Sequence, residues 1–199
     1  MADLTSNTSV NKLSVNCGLL MGVIVVVLNV VLYIINPIMP YSSIWAGLIV
    51  LVVTLAIIII LLVLFGLDIR KRIGGYWPFG QAFKSLFIMG VIITLFSTAY
   101  SFILIKYIDP DLPTKANDAM LQNLTTQLTN QGLDQSKIDD YTKSFTNGEF
   151  IAKMQPTVKN ELIGLVGGVV LYCVFALIIA ACIKKKAPFV FPSEEEQTT

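Results

Sequence analysis

The sequence predicts an all-α membrane protein of four transmembrane helices, with an extracytoplasmic helical hairpin between the third and the fourth. Four long apolar runs, at about Asn16–Ile35, Ile44–Leu67, Phe79–Ile105 and Val158–Ile183, each approach or exceed the roughly 20 residues a helix needs to cross about 30 Å of hydrocarbon. At 55% hydrophobic and 14% charged, with a mean hydropathy of +0.73, the chain is more apolar than soluble domains, which run about 45–50% apolar and about 25% charged. Lys and Arg gather beside alternate ends of the runs, the asymmetry that orients a membrane protein.

In chain order, residues 1–15 read as a short polar tail. The first run is no cleaved signal peptide, because its apolar stretch is too long and Ile35-Asn36-Pro37 offers no small-residue cleavage site. Cys17 is no lipidation site, since the apolar run follows the cysteine. Asn36–Ser43 carries no charge and is placed outside. Between the second and third runs lie Arg70-Lys71-Arg72, and Lys184-Lys185-Lys186 follow the fourth. With Lys12 and Lys84 they mark one face, which the positive-inside rule makes cytoplasmic, so both termini are inside. Residues 1–15 and 184–199 are then cytoplasmic tails, 16–105 holds the first three spans, 106–157 the external hairpin and 158–183 the fourth span.

The hairpin rests on two amphipathic stretches. Leu112, Ala116, Met120, Leu124 and Leu128 recur every four residues, and Ile138, Tyr141 and Phe145 repeat at helical spacing. Asp109-Pro110 suits a cap and first helical position, Gly132 a C-terminal stop, and Asp134 a second cap. Such a pair, at roughly 45 residues, is too small to stand alone, so its apolar stripe rests on the membrane surface, on the spans or on a second copy.

Cysteines Cys17, Cys173 and Cys182 lie in or at the edge of apolar runs, and none is expected in a disulfide. Cys173 and Cys182 are separated on one helix by about 13 Å of rise, beyond the roughly 7 Å that a bridge spans.

The stretch Gly74-Gly75-Tyr76-Trp77-Pro78-Phe79-Gly80-Gln81-Ala82-Phe83-Lys84 is distinctive. With Tyr107-Ile108-Asp109-Pro110 and the terminal Ile183-Lys184-Lys185-Lys186, it resembles the domain-of-unknown-function 4199 family of small bacterial membrane proteins, over about Lys12–Lys186. The resemblance implies a four-span fold and a bacterial inner-membrane location but no reaction.

Read physically, Gly74-Gly75 allows a tight reversal, Tyr76 and Trp77 suit the headgroup layer, and Pro78 suits a first helical turn. Anchoring accounts for the motif. The functional alternative is a lipid-headgroup anion pocket made by Arg70, Lys71, Arg72 and Lys84 with free N–H groups of Gly74 and Gly75. Within the spans, Thr94, Ser97, Thr98 and Ser101 share one helical face, and Asn29 of the first span lies at similar depth. Gly164, Gly167 and Gly168 are expected to let the fourth helix approach the third. Gly18 and Gly22 are expected to meet the fourth near Ala181 and Cys182.

Function is bounded chiefly by exclusion. The chain has no His, the commonest acid/base and metal ligand near neutral pH, and no nucleophile-elbow or phosphate-loop motif. No catalytic residue, metal or cofactor is expected. A net charge of +1 without a basic stripe argues against nucleic acid. Two readings remain: an accessory or scaffold bundle whose hairpin contacts itself or an envelope partner, and an oligomeric channel or small-solute transporter lined by hydroxyls. The bilayer itself is the one partner common to both.

Overall fold

The computed structural model describes residues 2–185. Lys186, Ala187-Pro188 and Glu194–Glu196, read above as part of the C-terminal tail, lie outside the described residues. Seven α-helices make up the described chain: α1 (Ala2–Ile35), α2 (Ile44–Arg72), α3 (Phe79–Ile103), α4 (Leu112–Asn130), α5 (Gln135–Thr146), α6 (Glu149–Met154) and α7 (Val158–Ile183). Four of these carry spans long and apolar enough to cross a membrane: Ser9–Ile35, Trp45–Arg72, Phe79–Ile108 and Val158–Ile183.

The expected N-terminal tail is instead the opening of α1. The reason is a continuous stripe: Val10, Leu13, Cys17, Met21 and Val25 recur at helical spacing and join the buried core. Ser14, fully buried on this face, keeps its hydroxyl satisfied by donating to the Val10 carbonyl at 2.8 Å. Helix α2 starts where the Ser43 hydroxyl accepts from the Ala46 N–H at 3.0 Å.

Helix α3 is the hub. α1 and α7 pack along it, and 33% of its most apolar window is buried, against 11% for α2. Close approach is set by glycine. An added Cβ at Gly90 would fall 2.6 Å from Tyr172 Cβ, and one at Gly168 would fall 2.6 Å from Thr94 Cγ2. Gly18 and Gly22 do not meet α7. They face α3, where an added Cβ would lie 2.8 Å from Ile92 Cδ1 and from Phe96 Cγ respectively. Gly164 and Gly167 have no neighbour within 4 Å of such a Cβ, so of the expected trio Gly168 alone makes the close approach. The sequence reveals which positions are small, but not how each helix is rotated about its axis.

Beyond Ile103 the chain widens into a π turn, Leu104–Ile108, closed by the Asp109 N–H donating to the Leu104 carbonyl at 2.8 Å. The expected start of α4 at Pro110 is displaced to Leu112. Asp109 is turned to other partners. At the far end of α4, Gly132 adopts φ +72°, its N–H donates to Thr129 O at 3.0 Å and the Leu133 N–H to Leu128 O at 3.2 Å, the paired bonds of a Schellman stop. Asp134 occupies the N-cap position of α5, but its side chain makes no capping bond. On α5 the inward face is Ile138 and Thr142, whereas Tyr141, expected in the apolar stripe, is 63% exposed. Helices α4, α5 and α6 contact one another. The beginning of α4 is anchored on the bundle through Leu112, which packs with Leu104, Ile105, Tyr33 and Tyr100.

Candidate functional site

Two polar regions flank the apolar core, one at each end of α3. At the α3 start, helix α2 closes on the Gly-Gly pair. Gly74 and Gly75 adopt φ +93° and +85°, a region open to glycine at little cost. Their N–H groups donate to Lys71 O at 3.3 Å and Arg70 O at 2.9 Å. This is again the Schellman arrangement, so the two amides that an anion pocket would need are already consumed by the helix end.

Arg70 is consumed as well. Its Nε donates to Gly75 O at 3.0 Å and its Nη1 to Ile183 O at 3.1 Å, fastening the end of α7 to the turn. Backbone pairing extends that clasp: the Trp77 N–H donates to Lys185 O at 2.7 Å and the Lys185 N–H to Trp77 O at 2.9 Å. Lys184 and Lys185 lie 5.9 Å from the Phe79 and Tyr76 ring centres. Arg72 pairs with Asp68 at 2.8 Å on the surface, and Lys71 and Lys84 are exposed. The basic residues therefore share one end of the molecule, but Arg70, Gly74 and Gly75 act as a clasp between α2, α3 and α7 rather than as a vacant anion cradle.

Trp77 corrects a further expectation. It is fully buried against the bundle rather than exposed to head groups, with its ring packed near Gly66 and its indole N–H without an acceptor.

At the other end of α3, an open cavity of about 440 Å³ lies between α3 and α7 beneath the α6 segment. Thr94, Ser97, Thr98 and Ser101 all line it. Thr94 donates to Gly90 O at 2.9 Å. The side-chain hydroxyls of Ser97, Thr98 and Ser101 make no hydrogen bond among the described residues. Asn29 is not part of this group. It lines a smaller cavity, about 170 Å³, on the α1 side with Tyr33 and Tyr100, and donates to Val25 O at 2.7 Å. Gly164 and Gly168 line the larger cavity from α7.

Sequence reasoning missed the charged members of this region. Glu161 lies in the first turn of α7 and Lys153 on α6, and both line the cavity. Glu161 was legible as the acidic residue inside the fourth apolar run. Lys153, Gln155 and Tyr41 carry no sequence signal, because loop geometry alone brings them over the α3 hydroxyls. Among the described residues, neither Lys153 nor Glu161 has an ion-pair partner.

Nearby, Asp109 is 8% exposed and accepts from Lys115 Nζ at 2.9 Å and from the Tyr33 hydroxyl at 3.2 Å. The Lys115 hydrogen bond holds the Asp109 carboxyl below its ordinary range, against the opposing effect of burial. Lys115 is raised chiefly by the same bond. This pair ties α4 to the end of α1. No group of three or more His, Cys, Asp or Glu among the described residues converges as a metal site.

Four apolar helices, α1, α2 and α7 packed about α3, with charge confined to the two ends, define a multi-pass membrane protein of the helical-bundle class. The chain belongs to the family described as "Protein of unknown function (DUF4199)", whose model matches residues 16–185. That match agrees with the resemblance carried by the Gly-Gly-Tyr turn. No curated protein and no solved structure matches the chain.

Proposed function

We propose that this protein is a non-enzymatic accessory or scaffold bundle of the bacterial inner membrane, with both termini cytoplasmic. Its extracytoplasmic α4–α6 layer contacts a second copy or an envelope partner. The observation that carries this reading is the way the layer is held and what it presents. Its root is tied to the spans by Asp109, Lys115 and Tyr33, while Tyr141 stands 63% exposed on the outward side of α5. A rigidly mounted aromatic residue is the kind of anchor that protein interfaces favour. The orientation is supported by Arg70, Lys71, Arg72, Lys184 and Lys185 at the opposite end of α3.

Crosslinking tests this. In a version lacking the native cysteines, a photoreactive or thiol probe at Tyr141→Cys in native membranes gives a discrete adduct, and the same probe at buried Ile138 gives none. Absence of any adduct at Tyr141, with monomer alone in detergent mass measurements, removes the reading.

The hydroxyl-lined cavity favours the second reading, an oligomeric channel or small-solute transporter. In a single copy the cavity ends above a packed core in which Met89 and Ile93 are fully buried, so conduction requires several copies around one axis. Reconstituted flux that disappears in Ser97→Leu supports this reading, and absence of flux across a panel of ions and small solutes removes it.

A further inference from the structure

The polar cavity does not stand alone. On the lipid-facing side of the same two helices runs a second depression of about 440 Å³, lined by Leu95, Ala99, Phe102, Ile103, Leu162 and Leu165. Two residues, Thr98 and Glu161, line both spaces. A polar chamber and an apolar groove therefore meet along one rim at the α3–α7 seam, near the membrane surface. From Glu161 to Tyr172 the chamber follows α7 through eleven residues, about 16 Å of helical rise, so it descends well into the depth of the span.

The chamber is chemically two-signed. Lys153 supplies a cation at its mouth and Glu161 an anion at its rim. Among the described residues neither is paired, and the hydroxyls of Ser97, Thr98 and Ser101 are without hydrogen bonds. A carboxylate at the edge of hydrocarbon without a partner is costly, and such residues mark sites at which something else supplies the compensation. A free solute would match the chamber but leave the groove bare. A fatty acid would fill the groove but set a second anion beside Glu161. An amphiphile with one phosphate, one ammonium and an acyl chain satisfies all three surfaces.

We propose that chamber and groove form one site for a zwitterionic membrane phospholipid whose head group carries a phosphate and a primary ammonium. Lys153 and the α3 hydroxyls receive the phosphate, Glu161 receives the ammonium, and the groove between α3 and α7 holds an acyl chain. A primary ammonium fits better than a quaternary one because it donates hydrogen bonds to the carboxylate. The site is independent of which partner the α4–α6 layer meets, so its failure leaves the scaffold reading intact.

The test uses the full chain purified from membranes and exchanged into nanodiscs or detergent with defined phosphatidylethanolamine, phosphatidylcholine or phosphatidylglycerol, with bound lipid counted by native mass spectrometry. The expected result is one retained phosphatidylethanolamine, favoured over phosphatidylglycerol by about tenfold. Glu161→Gln abolishes that preference. Gly164→Leu fills the chamber from a position with free space around it and lowers retention by about tenfold, whereas Gly167→Leu, also in free space but not lining the chamber, leaves retention unchanged. Equal retention of all three lipids by the native chain, or retention undiminished in Gly164→Leu, overturns the proposal. Thermal unfolding of each variant confirms that it is folded when counted.

Discussion

Gly90 is one of the positions at which the chain has least room, and Gly90→Ala measures how tightly α3 and α7 are apposed. The new Cβ would lie 2.6 Å from Tyr172 Cβ and 2.9 Å from Tyr172 Cγ, where carbon atoms rest comfortably at about 3.5–4.0 Å. A gap of about 1 Å must therefore open. The obstructing Tyr172 Cβ is bonded to the α7 backbone, so no side-chain rotation clears it and the helices themselves must part. Overpacking of this kind costs about 1–3 kcal/mol, offset by up to about 1 kcal/mol of helix propensity gained when glycine becomes alanine. Gly167→Ala supplies the reference, because an added Cβ there meets nothing within 4 Å and gains propensity alone. Unfolding followed in mixed detergent micelles should then place Gly90→Ala below Gly167→Ala by about 1–3 kcal/mol. Tyr172→Gly removes the obstructing Cβ and should relieve the clash, so that the double variant is more stable than the two single effects add up to. Equal stability of Gly90→Ala and Gly167→Ala, or strict additivity with Tyr172→Gly, would refute this packing of α3 against α7.

Arg70→Leu removes the side-chain bonds to Gly75 O in the turn and to Ile183 O of α7 and should cost about 1–3 kcal/mol, read as a lower unfolding midpoint with protease sensitivity opening first around residues 73–78. Trp77→Ala should cost about 3–5 kcal/mol by the cavity it leaves. Trp77→Phe should be much milder, because it also deletes an indole N–H that lacks an acceptor; a Phe variant as damaged as the Ala variant would contradict that. Asp109→Asn should loosen α4 at its root, measured as faster amide exchange over Leu112–Met120 without a change in the spans. The pH dependence has a definite sign. Asp109 is depressed in the folded state, so its contribution is present above the unfolded carboxyl value and is lost as pH falls through the folded one. Lys115 is raised, so its share is present at neutral pH and is lost only as pH rises through its folded value. Protection of α4 should therefore fall in acid in the native chain and be flat over the same range in Asp109→Asn.

The spans were legible because apolarity over a fixed length is a property of composition, and Ile44–Leu67 or Val158–Ile183 declare themselves without any knowledge of contacts. The stop at Gly132 was equally legible, since a left-handed residue after a helix favours glycine. Rotation about the helix axes was not. Gly18 and Gly22 were assigned to the wrong neighbour because a small residue in a span says that something comes close, not what. Residue type alone suggests that Trp77 faces lipid head groups, but the clasp of Arg70 and Lys185 folds the turn over it and buries it. Of the candidate site, the α3 hydroxyls share a face by helical spacing alone. Lys153 reaches them through the α5–α6–α7 connection, and no local pattern encodes that closure.

The most direct measurement is the accessibility of single cysteines in intact cells to a membrane-impermeant maleimide, in a version lacking the native three. Tyr141→Cys should label from outside, and Lys71→Cys only after the membrane is opened. Labelling of Lys71→Cys in intact cells with Tyr141→Cys protected would invert the bundle, and recovery of the protein in the soluble fraction would abolish it.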